Sequence, residues 1–170
     1  VELSELGDTI LQHIDSPSIY VDNINIQSWG RFAMIENNDH SAARRMFDGD
    51  ALMRQFGASL DNLGDGAATL SLTVGDNMVQ AHGTCHGGTI FALADAAFGV
   101  ACNSGEHPAV AQQCSINYLR PANVGDRLTV EIARRSESGR TGVYDGSVVT
   151  GDGRLIAEFR GISRSLPPRT

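Results

Sequence analysis

HGGTIFALADAAFGVACNS, residues His86 to Ser104, is the stretch whose reading decides the fold. It opens on a glycine pair, Gly87 and Gly88, and continues through Ile90, Phe91, Leu93, Ala97, Phe98, Val100 and Ala101. Apolar residues fall on every side of the helical wheel, the pattern of a helix buried all round. One formal charge, Asp95, interrupts it. A buried carboxylate without a partner is costly or changes its protonation state. Stability alone would place Leu or Ala at 95, so Asp95 is the first candidate for function.

Outward from this helix, 86–103, the pattern is mostly strand. On its N-terminal side, Asp39 or Ser41 can cap a helix running to Phe56, with Met46, Phe47, Met53 and Phe56 turned inward and Gly57 ending it. ASLDNL (58–63), a Gly64-Asp65-Gly66 turn and AATLSLTV (67–74) form a hairpin signal, with Ala68, Leu70, Leu72 and Val74 sharing one face. The loop 75–85 leads into the central helix. Four β-rich runs follow at 109–119, 127–136, 141–150 and 154–164, separated by turn residues. Serial strands with hairpin connections give an antiparallel sheet of about six strands. One face of that sheet must be buried, and helix 86–103 is the only element apolar enough to fill it. The expectation is an α+β fold, a curved sheet wrapped around one long helix. It occupies residues 41–170. Residues 1–40 form an extension of unassigned role, with an amphipathic helix over 2–14 and a strand or extended arm over 19–26.

The 170 residues and 41% apolar content suit one domain with a true core. A net charge of −7 argues against nucleic acid as the main partner. No run is long enough to span a bilayer, and the opening VELSEL has no basic-plus-apolar leader, so a soluble, cytoplasmic protein without a membrane partner is expected. All 13 basic residues are Arg, which removes lysine Schiff-base and P-loop chemistry. Three cysteines, Cys85, Cys102 and Cys114, read as reduced, space-filling thiols. His82, Cys85 and His86 lie close in sequence but match no zinc spacing, so no metal and no cofactor is expected. A cysteine nucleophile served by a neighbouring histidine is the lesser alternative; His86 reads as a residue that fixes the loop through ring hydrogen bonds.

At the helix start, Gly87 and Gly88 precede a turn whose backbone N–H groups lack intrahelical partners. Such donors can stabilise an oxyanion, with glycine allowing close approach; the pair can equally serve a tight turn or close packing. Asp95 can be a reacting carboxylate, or a partner to an arginine or to backbone groups. Gly88 and Asp95 are separated by about 10 Å along a helix. No carbonyl can contact both ends of that span, so if both act on one carbon, the carboxylate comes from a second copy across a two-fold axis.

The same residues resemble a known family. CHGG (85–88), FALAD (91–95), ACNS (101–104), YLRP (118–121), TGVYD (141–145) and FRGISR (159–164) fall in the order and spacing of the hotdog-fold acyl-CoA thioesterases, most closely the PaaI type of bacterial phenylacetate degradation. The resemblance covers roughly residues 42–165. It implies a homodimer with shared active sites, often paired into a tetramer. It implies that the Gly87 N–H polarises the thioester carbonyl and that Asp95 of the opposite subunit is nucleophile or general base. It also implies CoA along the subunit interface, with phosphates near arginine-bearing strands, for which Arg120 and Arg140 are the candidates. His86 and Gly88 join the substrate-binding set. Two positions depart from the family. Gln80 stands where relatives often carry Asn, and Gln113 stands roughly where some carry Ser or Thr; both keep a place in the expected site as polar side chains.

The function these residues imply is hydrolysis of an acyl-CoA thioester to free acid and CoA, with a phenylacetyl-like or other aromatic acyl group. The alternatives are a hotdog hydratase or dehydratase, which would need His86 and Asp95 to meet near the substrate α-carbon, and a non-catalytic acyl-CoA-binding dimer.

Overall fold

The computed structural model describes residues 40–167, so the helix expected at 2–14 and the arm at 19–26 lie outside the described residues. Two short helices open the described part, α1 (Ser41–Gly49) and α2 (Ala51–Gln55). The sequence suggested one continuous helix here. Asp50 divides it: its backbone is extended, and its Oδ1 accepts the N–H groups of Leu52 at 2.9 Å and Met53 at 3.0 Å, capping α2. Of the two expected caps of α1, Asp39 lies outside the described residues and Ser41 is the first residue of the helix itself. His40 occupies the cap position without a side-chain cap bond; its Nδ1 instead lies 2.8 Å from the Ser104 carbonyl oxygen. Met53 and Ala43 are buried as core residues, whereas Met46 is 42% exposed, a correction to its expected inward position.

The rest of the chain follows the expected order. Strands β1 (Ser59–Gly64) and β2 (Ala67–Thr73) form a hairpin. A 3₁₀ turn at Asp76–Met78 precedes α3 (Gly87–Cys102), and β3 (Ala109–Tyr118), β4 (Arg127–Ser138), β5 (Thr141–Thr150) and β6 (Leu155–Ser165) complete the sheet. The six strands are ordered β1-β2-β4-β5-β6-β3, all neighbours antiparallel. The crossover from β2 to β3 therefore passes β4, β5 and β6, and α3 lies across the sheet's concave face.

The concave face supplies Leu70, Leu72, Leu128, Val130, Val148 and Ile156, each 1% exposed or less. They close on Leu93, Ala94, Ala97 and Phe98 of α3, all at 0%. Phe98 is the centre: its ring meets Tyr144 edge-on at 5.3 Å and Phe159 at 5.8 Å. Gly161 leaves the space for it, since a Cβ there would lie 2.8–2.9 Å from three Phe98 ring atoms. The ACNS motif anchors the helix end. The Asn103 side chain exchanges hydrogen bonds with Ala109 at the start of β3, and the Ser104 hydroxyl accepts the Gly66 N–H at 2.7 Å.

In one respect α3 departs from the all-round burial its sequence suggested. Leu93, Ala94, Ala97, Phe98, Val100 and Ala101 are buried, but Gly88, Ala92, Asp95 and Gly99 form a partly open stripe along its length. β3, at the sheet edge, is likewise mostly exposed.

Candidate active site

The site begins at the start of α3. His86 is the N-cap: its Nδ1 accepts the Gly88 N–H at 2.8 Å, which requires the ring proton on Nε2. Its backbone N–H donates to the Met78 carbonyl at 2.7 Å, and its own carbonyl accepts from Thr89 at 2.9 Å and Ile90 at 3.3 Å. The peptide unit joining His86 to Gly87 is thus fixed and polarised from its carbonyl side. Its N–H, that of Gly87, has no acceptor among the described residues. Of the glycine pair, Gly88 is committed to the cap and Gly87 presents the free donor.

Gly87 is also where a second element arrives. The Tyr118 hydroxyl donates to the Gly87 carbonyl at 2.8 Å, and its ring covers the glycine so closely that a Cβ would lie 3.2 Å from Cζ. Tyr118 is half exposed and forms one wall beside the free N–H.

Asp95 lies farther along α3 on the open stripe. No ion pair reaches it among the described residues; the arginines that pair with acids find Asp61, Asp65, Asp126, Glu137 or Asp145 instead. Its hydrogen-bond partner among the described residues is the Cys114 thiol of β3, which donates to Oδ1 at 3.3 Å. Burial pushes that thiol up to about 12, with the Asp95 hydrogen bond and charge acting in the same direction. Cys114 therefore stays a neutral thiol near neutral pH. Cys85, the other nucleophile weighed from sequence, is 4% exposed and likewise raised, to about 11, by burial.

The remaining candidates are distributed. Gln80 is exposed in a small loop, donating through Nε2 to the Thr84 hydroxyl at 3.0 Å. Gln113 adjoins Cys114 on β3, so strand alternation turns it to the face opposite Asp95 of its own subunit. Arg120 and Arg140 are exposed and donate to the Leu155 and Ser165 carbonyls at 3.2 and 2.8 Å, with no acidic partner among the described residues. A cleft of about 540 Å³ opens at the other end of α3, lined by Cys102, Ser104, Arg134, Tyr144 and Ser163 among others; it contains neither Gly87 nor Asp95. Sequence reasoning missed Tyr118 and Cys114. The signal for both lay in the alternation of β3, which turns 114, 116 and 118 to the face of their partners Gly161, Phe159 and Ala157 on β6.

Comparison with known proteins bears on this arrangement. A model of the thioesterase superfamily matches residues 82–157, which include Gly87, Asp95, Cys114 and Tyr118. Over 124 residues the chain is 40% identical to acyl-coenzyme A thioesterase PaaI of Escherichia coli K12, covering 73% of this chain and 89% of that one. The chain belongs to the hotdog-fold acyl-CoA thioesterases of the PaaI type. The solved structure of E. coli PaaI, a protein of the phenylacetic acid degradation operon, superposes on this PaaI-type chain with a TM-score of 0.73 at 38% identity, over 77% of this chain and 97% of that one. A hypothetical thioesterase of Streptococcus pneumoniae, solved with coenzyme A, matches at a TM-score of 0.68 and 25% identity over 74% and 98% of the two chains. The curved antiparallel sheet around one helix is the hotdog fold expected from the motifs.

Proposed function

We propose that this chain hydrolyses acyl-CoA thioesters in an active site shared by two copies of itself. The observation that carries the mechanism is the separation of the two reactive features on one helix. The free Gly87 N–H and Asp95 are eight residues apart, about 12 Å along the axis. They cannot meet one thioester carbon from within a single chain. The open stripe of α3 that carries Asp95, and the exposed edge strand β3 beside it, are the surfaces a second copy would cover.

In this reading the thioester oxygen accepts the Gly87 N–H of one subunit, already aligned by the hydrogen bonds on the His86 carbonyl. Asp95 of the other subunit attacks the carbonyl carbon or removes a proton from the attacking water. Collapse of the tetrahedral intermediate expels CoA as the thiolate. If Asp95 attacks directly, water then hydrolyses the acyl–carboxylate anhydride. Gln80 lies in the loop preceding the helix as a polar positioning group, and Arg120 and Arg140 offer guanidinium donors for CoA phosphates. The coenzyme A bound to the streptococcal relative supports that class of substrate, and the operon of the E. coli relative supports an aromatic, phenylacetyl-like acyl group. The hydratase alternative is disfavoured by His86: with Nδ1 accepting the Gly88 N–H, the ring has only an N–H donor left and no free base.

The test is a thiol-release screen over aromatic and straight-chain acyl-CoAs, with Asp95→Asn as control. Phenylacetyl-type esters should be cleaved fastest, and Asp95→Asn should lower turnover by about 10³-fold or more with its melting temperature retained. Wild-type turnover in Asp95→Asn would remove Asp95 from the mechanism.

A further inference from the structure

We propose that Cys114 is a positioning residue for Asp95, its thiol fixing one carboxylate oxygen so that the other faces the substrate. This rests on the reading of Asp95 as the reacting carboxylate. The Sγ–Oδ1 distance is 3.3 Å, and no other hydrogen bond or ion pair among the described residues holds the Asp95 side chain. Without that contact, an aspartate on the open stripe of α3 has free rotation about its terminal carbon. With it, Oδ1 is tied to β3 and Oδ2 alone remains for the thioester carbon or the water.

Two features of the fold make the contact more than a chance neighbour. β3 touches α3 at two functional points, Tyr118 at Gly87 and Cys114 at Asp95. The strand runs against the helix direction, and the intervals match. Eight residues of helix cover about 12 Å, and four residues of strand cover about 13 Å. One strand therefore sets both ends of the helical segment that bears the chemistry, and Cys114 is the member that reaches the carboxylate.

The side-chain type fits the task. A thiol is a weak donor, so it can direct a carboxylate while leaving most of its electron density for reaction. The thiol also keeps its proton: burial and the adjacent carboxylate push it up to about 12, so it acts as a donor and does not compete as a nucleophile.

The test combines kinetics with the S–H stretching vibration, which absorbs in a window free of other protein bands. The Cys114 band is assigned by its loss in Cys114→Ala. Replacing Asp95 with Ala should move that band to higher frequency, because the acceptor is gone. Cys114→Ala should lower kcat for acyl-CoA hydrolysis about tenfold at unchanged KM and unchanged melting temperature. Cys114→Ser, which restores a donor, should recover kcat to within about threefold of wild type. An unmoved S–H band overturns the proposal without reference to activity. So does a Cys114→Ala enzyme with wild-type kcat, or a Cys114→Ser enzyme as slow as Cys114→Ala. These outcomes are separable from failure of the underlying reading. A fully active Asp95→Asn enzyme sinks Asp95 and the role of Cys114 together, whereas an inactive Asp95→Asn beside an undiminished Cys114→Ala sinks only Cys114.

Discussion

Gly87 illustrates how one residue can be constrained from both of its peptide groups. Its carbonyl takes the Tyr118 hydroxyl, its α-carbon lies under the Tyr118 ring, and its N–H is left without an acceptor among the described residues. Because His86 is the N-cap, Gly87 is the first helical residue, where proline is tolerated for its fixed φ and missing donor. Gly87→Pro thus deletes the proposed oxyanion donor while keeping a helix-compatible backbone, with Tyr118, half exposed, able to swing aside. We expect kcat to fall about 10²–10³-fold with helical circular dichroism unchanged. An undiminished kcat would move the oxyanion site elsewhere. The candidacy of this position was legible in the sequence, since a glycine at the start of an apolar helix is a recognisable pattern. What was not legible is which glycine of the pair is free. That depends on the rotamer of His86, which assigns Gly88 to the cap.

At the scale of elements, α3 was the most legible part of the chain and the segment before it the least. The apolar run 86–103 predicts α3 to within one residue at each end, because nothing competes with helix inside it and its flanking His86 and Asn103 bond the end groups. The segment 41–56 reads as continuous because its apolar residues keep helical spacing. The break comes from Asp50, which satisfies two N–H groups of the following turn more effectively than a helical backbone there could. Asp50→Ala should destabilise the protein by about 1 kcal/mol, seen as a lower melting temperature with unchanged catalysis. The family-like motifs outside α3 decode as packing around it: Tyr144 of TGVYD meets Phe98 edge-on, Gly161 of FRGISR makes room for the same ring, and Asn103 of ACNS binds the start of β3. The contacts of Cys114 and Tyr118 with α3 were hidden because they depend on how β3 registers against the helix, a long-range fact that spacing within either element does not contain.

At the scale of the molecule, a shared site makes a quantitative demand. Gly87→Pro and Asp95→Asn subunits, each inactive alone, should regain activity on random re-pairing, because a mixed dimer has one site with both native groups. Half the dimers are mixed and each has one intact site in two, so about a quarter of the wild-type activity should return. No recovery on mixing would place both groups in one chain's site. The buried thiols set a second whole-molecule property. Burial raises Cys85 and Cys102 from 9.0 to about 11, so the folded protein holds these protons more tightly than the unfolded chain does. Their contribution is complete below about pH 9 and is lost as the pH rises through 11. The urea midpoint should therefore fall between about pH 9 and 11, and less steeply in a Cys85→Ala, Cys102→Ala double variant. The same helix that seals the core also carries the proposed reacting groups, with Leu93, Ala94, Ala97 and Phe98 wholly buried around Asp95. Evolution of a new acyl preference has little freedom along α3, since most changes there would cost folding before they altered selectivity. Diversification is left to the rim, where Gln80 and Leu119 are exposed and lie outside the core.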